Sequence, residues 1–203
     1  EFDSEKAKGQ YAEHAAKPHA SPKLWFGKGD SKNPLKNASK VVERHYSSSY
    51  AYHAQMEPMS AVAKTSPDGK SAEIWLGTQS NFLAALITSK VLKTSPMKIK
   101  INQHLLGGGF GRRIWPDPAI QAAVLSKIVK KPVKLIATRE DDFAAARPRP
   151  MTHHALKAGL NDDGKIVGWH HRLVAENVDA VAAPPRFKAT GGKDIIGWPN
   201  GPC

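Results

Sequence analysis

The chain has 203 residues, carries 30 Lys and Arg against 18 Asp and Glu for a formal net charge of +12, and is 40% hydrophobic. That length suits one domain, or one domain with an extension; the 15 prolines and a mean hydropathy of −0.45 point to much irregular surface around a modest core. No apolar run approaches the ~18 residues of a membrane-spanning helix, and a single cysteine, Cys203, excludes an internal disulfide and any multi-cysteine metal site. The lysines are spread along the chain and aromatics are only 7%, which argues against a base-stacking platform for nucleic acid.

In chain order, the first residues, EFDSEKAKGQYAEH, show no charged-then-apolar leader pattern and no initiator Met, as at a processed or truncated start. Residues 1–38 read as an irregular linker or the tail of a preceding domain, with Trp25 and Phe26 as a surface anchor. SKVVERHY reads as a short strand. SAVAKT and AEIWLG flank Pro67-Asp68-Gly69, a turn signal, and so form a hairpin. Ser80 caps a helix through about Leu92, with Phe82, Leu83, Leu86, Ile87 and Val91 on its inward face. In MKIKINQ, Met97, Ile99 and Ile101 alternate with polar residues as in a half-buried strand. HLLGGGFGRR then places a glycine run directly after that strand. Asp117 reads as an N-cap with Pro118 at the first helical position, and Ile120, Ala123, Val124 and Ile128 face inward along the helix that follows. PVKLIAT reads as another strand. MTHHALKAGL and KIVGWHHRLVAE, joined by NDDG, form a second hairpin, and the chain from 182 to 203 reads as an extended tail.

The order strand, helix, strand, glycine loop, helix, strand implies two linked βαβ crossovers. The expected fold class is therefore α/β (α+β): a mixed sheet with two helices, flanked by hairpins, over residues 39–181. The glycine loop lies at the carboxyl end of a strand and before a helix, where α/β proteins bind anions. Arg112 and Arg113 are placed to add bidentate contacts. It is neither a Walker loop nor a dinucleotide fingerprint, because Arg112 stands where the last glycine of the fingerprint belongs. In HAQMEPMS, His53 and Glu57 offer a metal pair, but a loop whose Glu57 is satisfied by backbone donors is the favoured reading. His153-His154 and His170-His171 point to opposite faces of their strands, so only one histidine from each strand can meet across the hairpin.

Five ordered segments, AYHAQMEPMSAVA, EIWLGTQSNF, LLGGGFGRR, PVKLIATREDDF and RPRPMTHHALKAGLNDDGKIVGW, resemble the molybdenum-binding large subunit of the xanthine oxidase family, in its isoquinoline 1-oxidoreductase and aldehyde dehydrogenase branch. The resemblance implies a molybdopterin-binding domain. Gln79 of the GTQ motif would hydrogen-bond the cofactor, and Gly108, Gly109, Phe110 and Gly111 would bring backbone N–H groups to the metal's apical oxygen. Phe110 would line the substrate pocket, and Arg112 is the next cofactor contact. Gln79 and Phe110 are the candidate catalytic residues, and no side chain is assigned to the metal itself. The implied reaction is hydroxylation by water of an aldehyde or N-heteroaromatic, with electrons passing to iron–sulfur clusters on a partner subunit, then to a cytochrome c or membrane acceptor. The implied setting is bacterial, periplasmic or associated with the inner membrane, with the cytoplasm left open. The pterin's nucleotide form stays open too, the cytosine dinucleotide among the alternatives.

The family's general-base glutamate and its other pterin loops are absent here. The chain therefore resembles an internal piece that carries one wall of the site, partnered by the remaining large-subunit segments and inactive alone. A non-catalytic binding or assembly module of the same fold, and a basic domain binding anions or nucleic acid, are the alternatives.

Overall fold

The computed structural model describes residues 3–17, 27–145, 147–176, 178 and 184–191. Trp25, Phe26 and most of the tail from 182 onward, Cys203 included, lie outside the described residues. The chain divides into two compact units: residues 1–51 together with 149–203, and residues 52–148.

The first unit joins the two ends of the chain. Helix α1 (Ser4–Ala16) and the short helix α2 (Lys32–Lys36) occupy the stretch read from sequence as irregular. The α1 stretch is mostly polar and buries only Ala15, so it offers no apolar face to read, but Asp3 caps it, its Oδ1 accepting from the N–H of Glu5 at 2.9 Å and of Lys6 at 3.1 Å. At its other end Arg172 donates to the carbonyls of Ala15 and Lys17, at 2.7 and 3.1 Å. The sheet of this unit has the order β1 (Lys40–Ser48), β6 (Thr152–Leu160), β7 (Ile166–Ala175), all antiparallel. Gly159 and Gly168 face each other across β6 and β7 and form a seat for α2. A Cβ on Gly159 would lie 2.9 Å from Ala38 Cβ, and one on Gly168 would lie 3.1 Å from Leu35 Cγ. The final hairpin predicted from NDDG is present, but its sheet partner is β1 and not the central strands.

The second unit is the mixed sheet. Its order is β4 (Ile99–Gln103), β3 (Ala72–Leu76), β2 (Ser60–Thr65), β5 (Val133–Ile136). β3 and β4 are parallel and β2 is antiparallel to β3 and β5, so β3, β4 and β5 all run the same way. Helix α3 (Asn81–Leu92) links β3 to β4, and α4 (Asp117–Val129) carries the chain from β4 across to β5. These are the two expected crossovers, and the α/β class holds.

The core is built from small residues. Ala61, Ala63, Ala72, Ile74 and Leu76 of the strands meet Ala119, Ala122 and Ala123 of α4, all at most 5% exposed. Ser126 fixes the contact, its Oγ accepting from Thr65 N at 3.0 Å and donating to the Lys131 carbonyl at 2.8 Å. This packing corrects both predicted helix faces in part: Ala123 is buried as expected, and Leu83, Leu86, Ile87, Ile120 and Val124 are half-buried. The buried face of α3 is Ala84, Thr88, Ser89 and Leu92, with Phe82 72% exposed; on α4, Ile128 is 69% exposed while Ala119 and Ala122 are covered. Among the large apolar residues of the predicted faces, the closer contact of small residues leaves Phe82, Val91 and Ile128 exposed. Met97 is likewise exposed in a turn at Pro96–Lys98, before β4 begins. Ser80 does cap α3, accepting from Leu83 N at 3.3 Å.

An alanine-lined contact has no room for a longer side chain. Ala122→Leu is expected to lower stability by about 1–3 kcal/mol in chemical denaturation, whereas Ile128→Ser changes it little.

Candidate functional site: a glycine loop at the carboxyl edge of the mixed sheet

Because β3, β4 and β5 run in parallel, the segments that follow them emerge on one edge, and the segment that enters antiparallel β2 begins there too. Four loops thus converge: 53–59, 77–80, 104–111 and 137–138. This is the edge at which open α/β sheets place ligands.

The loops are tied to one another by hydrogen bonds. Gln79 N donates to the Arg113 carbonyl at 3.1 Å, and its side-chain Oε1 accepts from Gly111 N at 3.0 Å. Thr78 Oγ1 donates to the same Arg113 carbonyl at 3.0 Å. Glu57 and Gly107 exchange two bonds: Glu57 N to the Gly107 carbonyl at 3.0 Å, and Gly107 N to Glu57 Oε2 at 2.9 Å. Glu57 also takes Ser60 Oγ at 3.2 Å, and forms an ion pair with Arg113 Nη2 at 2.9 Å. The reading of Glu57 as a backbone-satisfied carboxylate is correct, with Arg113 as a partner that sequence did not show.

The glycines are required by geometry. Gly108 and Gly111 have φ of 94° and 101°, and a Cβ on Gly109 would lie 2.6 Å from Gln79 Oε1. Phe110 is also left-handed, at φ 50°, a conformation costly for a residue with a Cβ, and the residue is 63% exposed. Among the described residues, none accepts from the N–H groups of Gly108, Gly109 or Phe110. Three successive main-chain donors are therefore unspent, beside an exposed aromatic ring and the Gln79 amide. This arrangement fits an oxygen-rich or anionic group.

The two arginines do not meet the solvent. Arg112, 4% exposed, donates from Nη1 to Asp117 Oδ2 at 2.7 Å, while its Nε has no partner among the described residues. Arg147 holds the other oxygen of Asp117 at 3.2 Å and stacks over Trp115, 4.8 Å from the ring centroid. Asp117 is thus the first residue of α4, behind Pro116 as N-cap, and its carboxylate is taken up by arginines instead of capping the helix. Burial raises the Asp117 carboxyl's pKa, but the bonds from Arg147 and Arg112 outweigh that and hold it below the ordinary range. Arg113, 1% exposed, spends its guanidinium on protein carbonyls and Glu57, so it is not free to bind a ligand as sequence suggested.

In the first unit the histidines meet as expected, one per strand: His154 Nδ1 and His171 Nε2 lie 2.9 Å apart. On the opposite face His153 contacts His45 and Ser47, and burial lowers its pKa. Among the described residues, no three His, Cys, Asp or Glu side chains group as metal ligands.

Two outcomes follow. Gly109→Ala should cost about 1–3 kcal/mol through the clash with Gln79, and much less in a Gln79→Ala background, a coupling that a double-mutant cycle of denaturation midpoints reads out. Asp117, with its folded pKa depressed, contributes stability that is present above its unfolded pKa of about 4 and lost as pH falls through the folded value. The stability gap between wild type and Asp117→Asn should therefore be full at neutral pH and close on acidification below about pH 4.

Residues 13–183 match the molybdopterin cofactor-binding domain family. The chain is 35% identical over 155 residues to the isoquinoline 1-oxidoreductase subunit beta of Brevundimonas diminuta, covering 76% of this chain and 20% of that one. It is 41% identical over 140 residues to the membrane-bound aldehyde dehydrogenase (pyrroloquinoline-quinone) of Gluconacetobacter polyoxogenes, covering 68% of this chain and 18% of that one. The aldehyde oxidoreductase from Desulfovibrio gigas shares the fold at a TM-score of 0.65 and 19% identity, over 73% of this chain and 16% of that one. The chain thus spans about a fifth of the length of these relatives. With the glycine loop, the GTQ motif and the two-crossover sheet in place, it belongs to the molybdopterin cofactor-binding domain family.

Proposed function

We propose that this chain forms one wall of the active site of a molybdenum-cofactor-dependent oxidoreductase that hydroxylates aldehydes or N-heteroaromatics. The single observation that carries the reading is the row of unspent main-chain donors at Gly108, Gly109 and Phe110, set beside Gln79. When bound, the cofactor supplies a two-electron acceptor and a centre that activates water.

The chain's own residues supply position and polarity. The loop offers donors that need no reorganisation, because the glycine conformations are set before a ligand arrives. With its Oε1 committed to Gly111 N, Gln79 presents its amide N–H groups to an acceptor. The exposed Phe110 ring gives a flat apolar surface on which an aromatic or aldehyde substrate packs. Arg112, buried against Asp117, braces the start of α4 behind the loop. The general base and the remaining cofactor contacts come from further large-subunit segments, and electrons leave to an iron–sulfur subunit.

The test is composition and turnover of the protein purified natively, with its copurifying polypeptides, by a tag on this chain. Molybdenum and pterin near one per chain, with substrate-dependent dye reduction by an aldehyde or N-heteroaromatic, are expected. A preparation with its partner polypeptides present but neither molybdenum nor pterin would overturn the reading.

A further inference from the structure

Four consecutive carbonyls, of Gln55, Met56, Glu57 and Pro58, accept from two guanidinium groups. Arg139 Nη2 takes the first two at 2.7 and 2.8 Å, and Arg113 Nη2 takes the second two at 2.7 and 3.3 Å. Arg113 reaches further, from Nε to the Gly108 carbonyl at 2.8 Å and from Nη1 toward the Gly77 carbonyl at 3.4 Å.

A trans peptide unit is planar, with its C=O and the following N–H pointing in opposite directions. Holding one carbonyl therefore aims the next N–H. All three carbonyls that precede the unspent donors are held: Gly107 O by Glu57 N at 3.0 Å, Gly108 O by Arg113 Nε at 2.8 Å, and Gly109 O by Arg112 N at 2.8 Å. The N–H groups of Gly108, Gly109 and Phe110 are turned away from these partners by the planarity of the chain. Two of the three constraints are main-chain bonds. The middle one depends on a side chain.

We infer that Arg113 is a positioning residue. It aims the Gly109 N–H through the Gly108 carbonyl, and it holds the start of the loop through Glu57, which binds Gly107 at two points. Its ligand-side consequence rests on the cofactor reading above. Lysine cannot replace it fully, because one ammonium cannot span the Gly108 carbonyl and the Glu57 carbonyl and carboxylate as a fork does.

The experiment compares wild type, Arg113→Met and Arg113→Lys, purified natively with their partners. It reads amide hydrogen exchange at Gly107 and Gly111, the bonded reporters at the two ends of the loop, together with molybdenum and pterin content. Arg113→Met should speed exchange at both amides by about tenfold or more, leave the core amides of Ala63 and Ile74 unchanged, and lose most of the cofactor. Arg113→Lys should fall between the two. If Arg113→Met does not fold, Glu57→Gln serves instead: it keeps an acceptor for Gly107 but weakens the ion pair, and should speed the same amides with a smaller loss of cofactor. Wild-type exchange in a folded Arg113→Met chain, or faster exchange with cofactor content unchanged, would overturn the inference. A wild-type protein without cofactor would defeat the proposed function instead, while the exchange rates would still decide whether Arg113 sets the loop.

Discussion

The buried guanidinium of Arg113 is the constraint on which the edge of the mixed sheet depends. A charge withdrawn from water is tolerated only where carbonyls and a counter-ion replace its hydration. Here those replacements are the carbonyls of Gly77, Gly108, Glu57 and Pro58, and the carboxylate of Glu57. They belong to three different loops, so the energetic demand of one side chain becomes a geometric demand on all three. Removing the charge would leave several carbonyls without donors; removing Glu57 would leave the charge uncompensated. The loops therefore stand or fall as a set.

The sheet beneath makes that convergence possible. Alanine on both sides of the α4 contact lets the helix approach β2 and β3 closely, and the approach fixes where α4 starts, and with it the Arg112–Asp117–Arg147 cluster. The glycine loop is thus held between the end of β4 and the start of a helix whose height is set by small residues. Glycine at 108, 109 and 111 is the corresponding requirement from above: two positions need left-handed backbone, and the third has no space for a Cβ beside Gln79.

Much of this was legible in the amino-acid sequence, and the misses have a common cause. Element type and order in the second unit were readable, because strands with period-two patterning, the Ser80 cap and the Pro67-Asp68-Gly69 turn are local signals. The helix faces were read only in part, Ala123 correctly, because periodicity marks large apolar residues and this core selects for closeness over bulk: Ala84 and Ala122 are covered while Phe82 and Ile128 are not. Helix α1 was missed because its stabilising contacts, a cap at Asp3 and Arg172 from β7, are respectively subtle and distant in sequence. For the site, the glycines and Gln79 were visible as motifs. The role of Arg113 was not, since nothing local distinguishes an arginine that points at solvent from one that reaches carbonyls 36 and 56 residues away.

Held carbonyls, planar peptides and unspent N–H groups together describe a cradle whose shape is set before any ligand arrives. The most direct test of that account is a high-resolution structure of the protein isolated with its molybdenum cofactor. The account predicts a cofactor oxygen within about 3 Å of at least one N–H of Gly108, Gly109 or Phe110, with Arg113 still on the Gly108 carbonyl. A cofactor bound elsewhere, with these three donors facing solvent or with Arg113 turned away from Gly108, would contradict it.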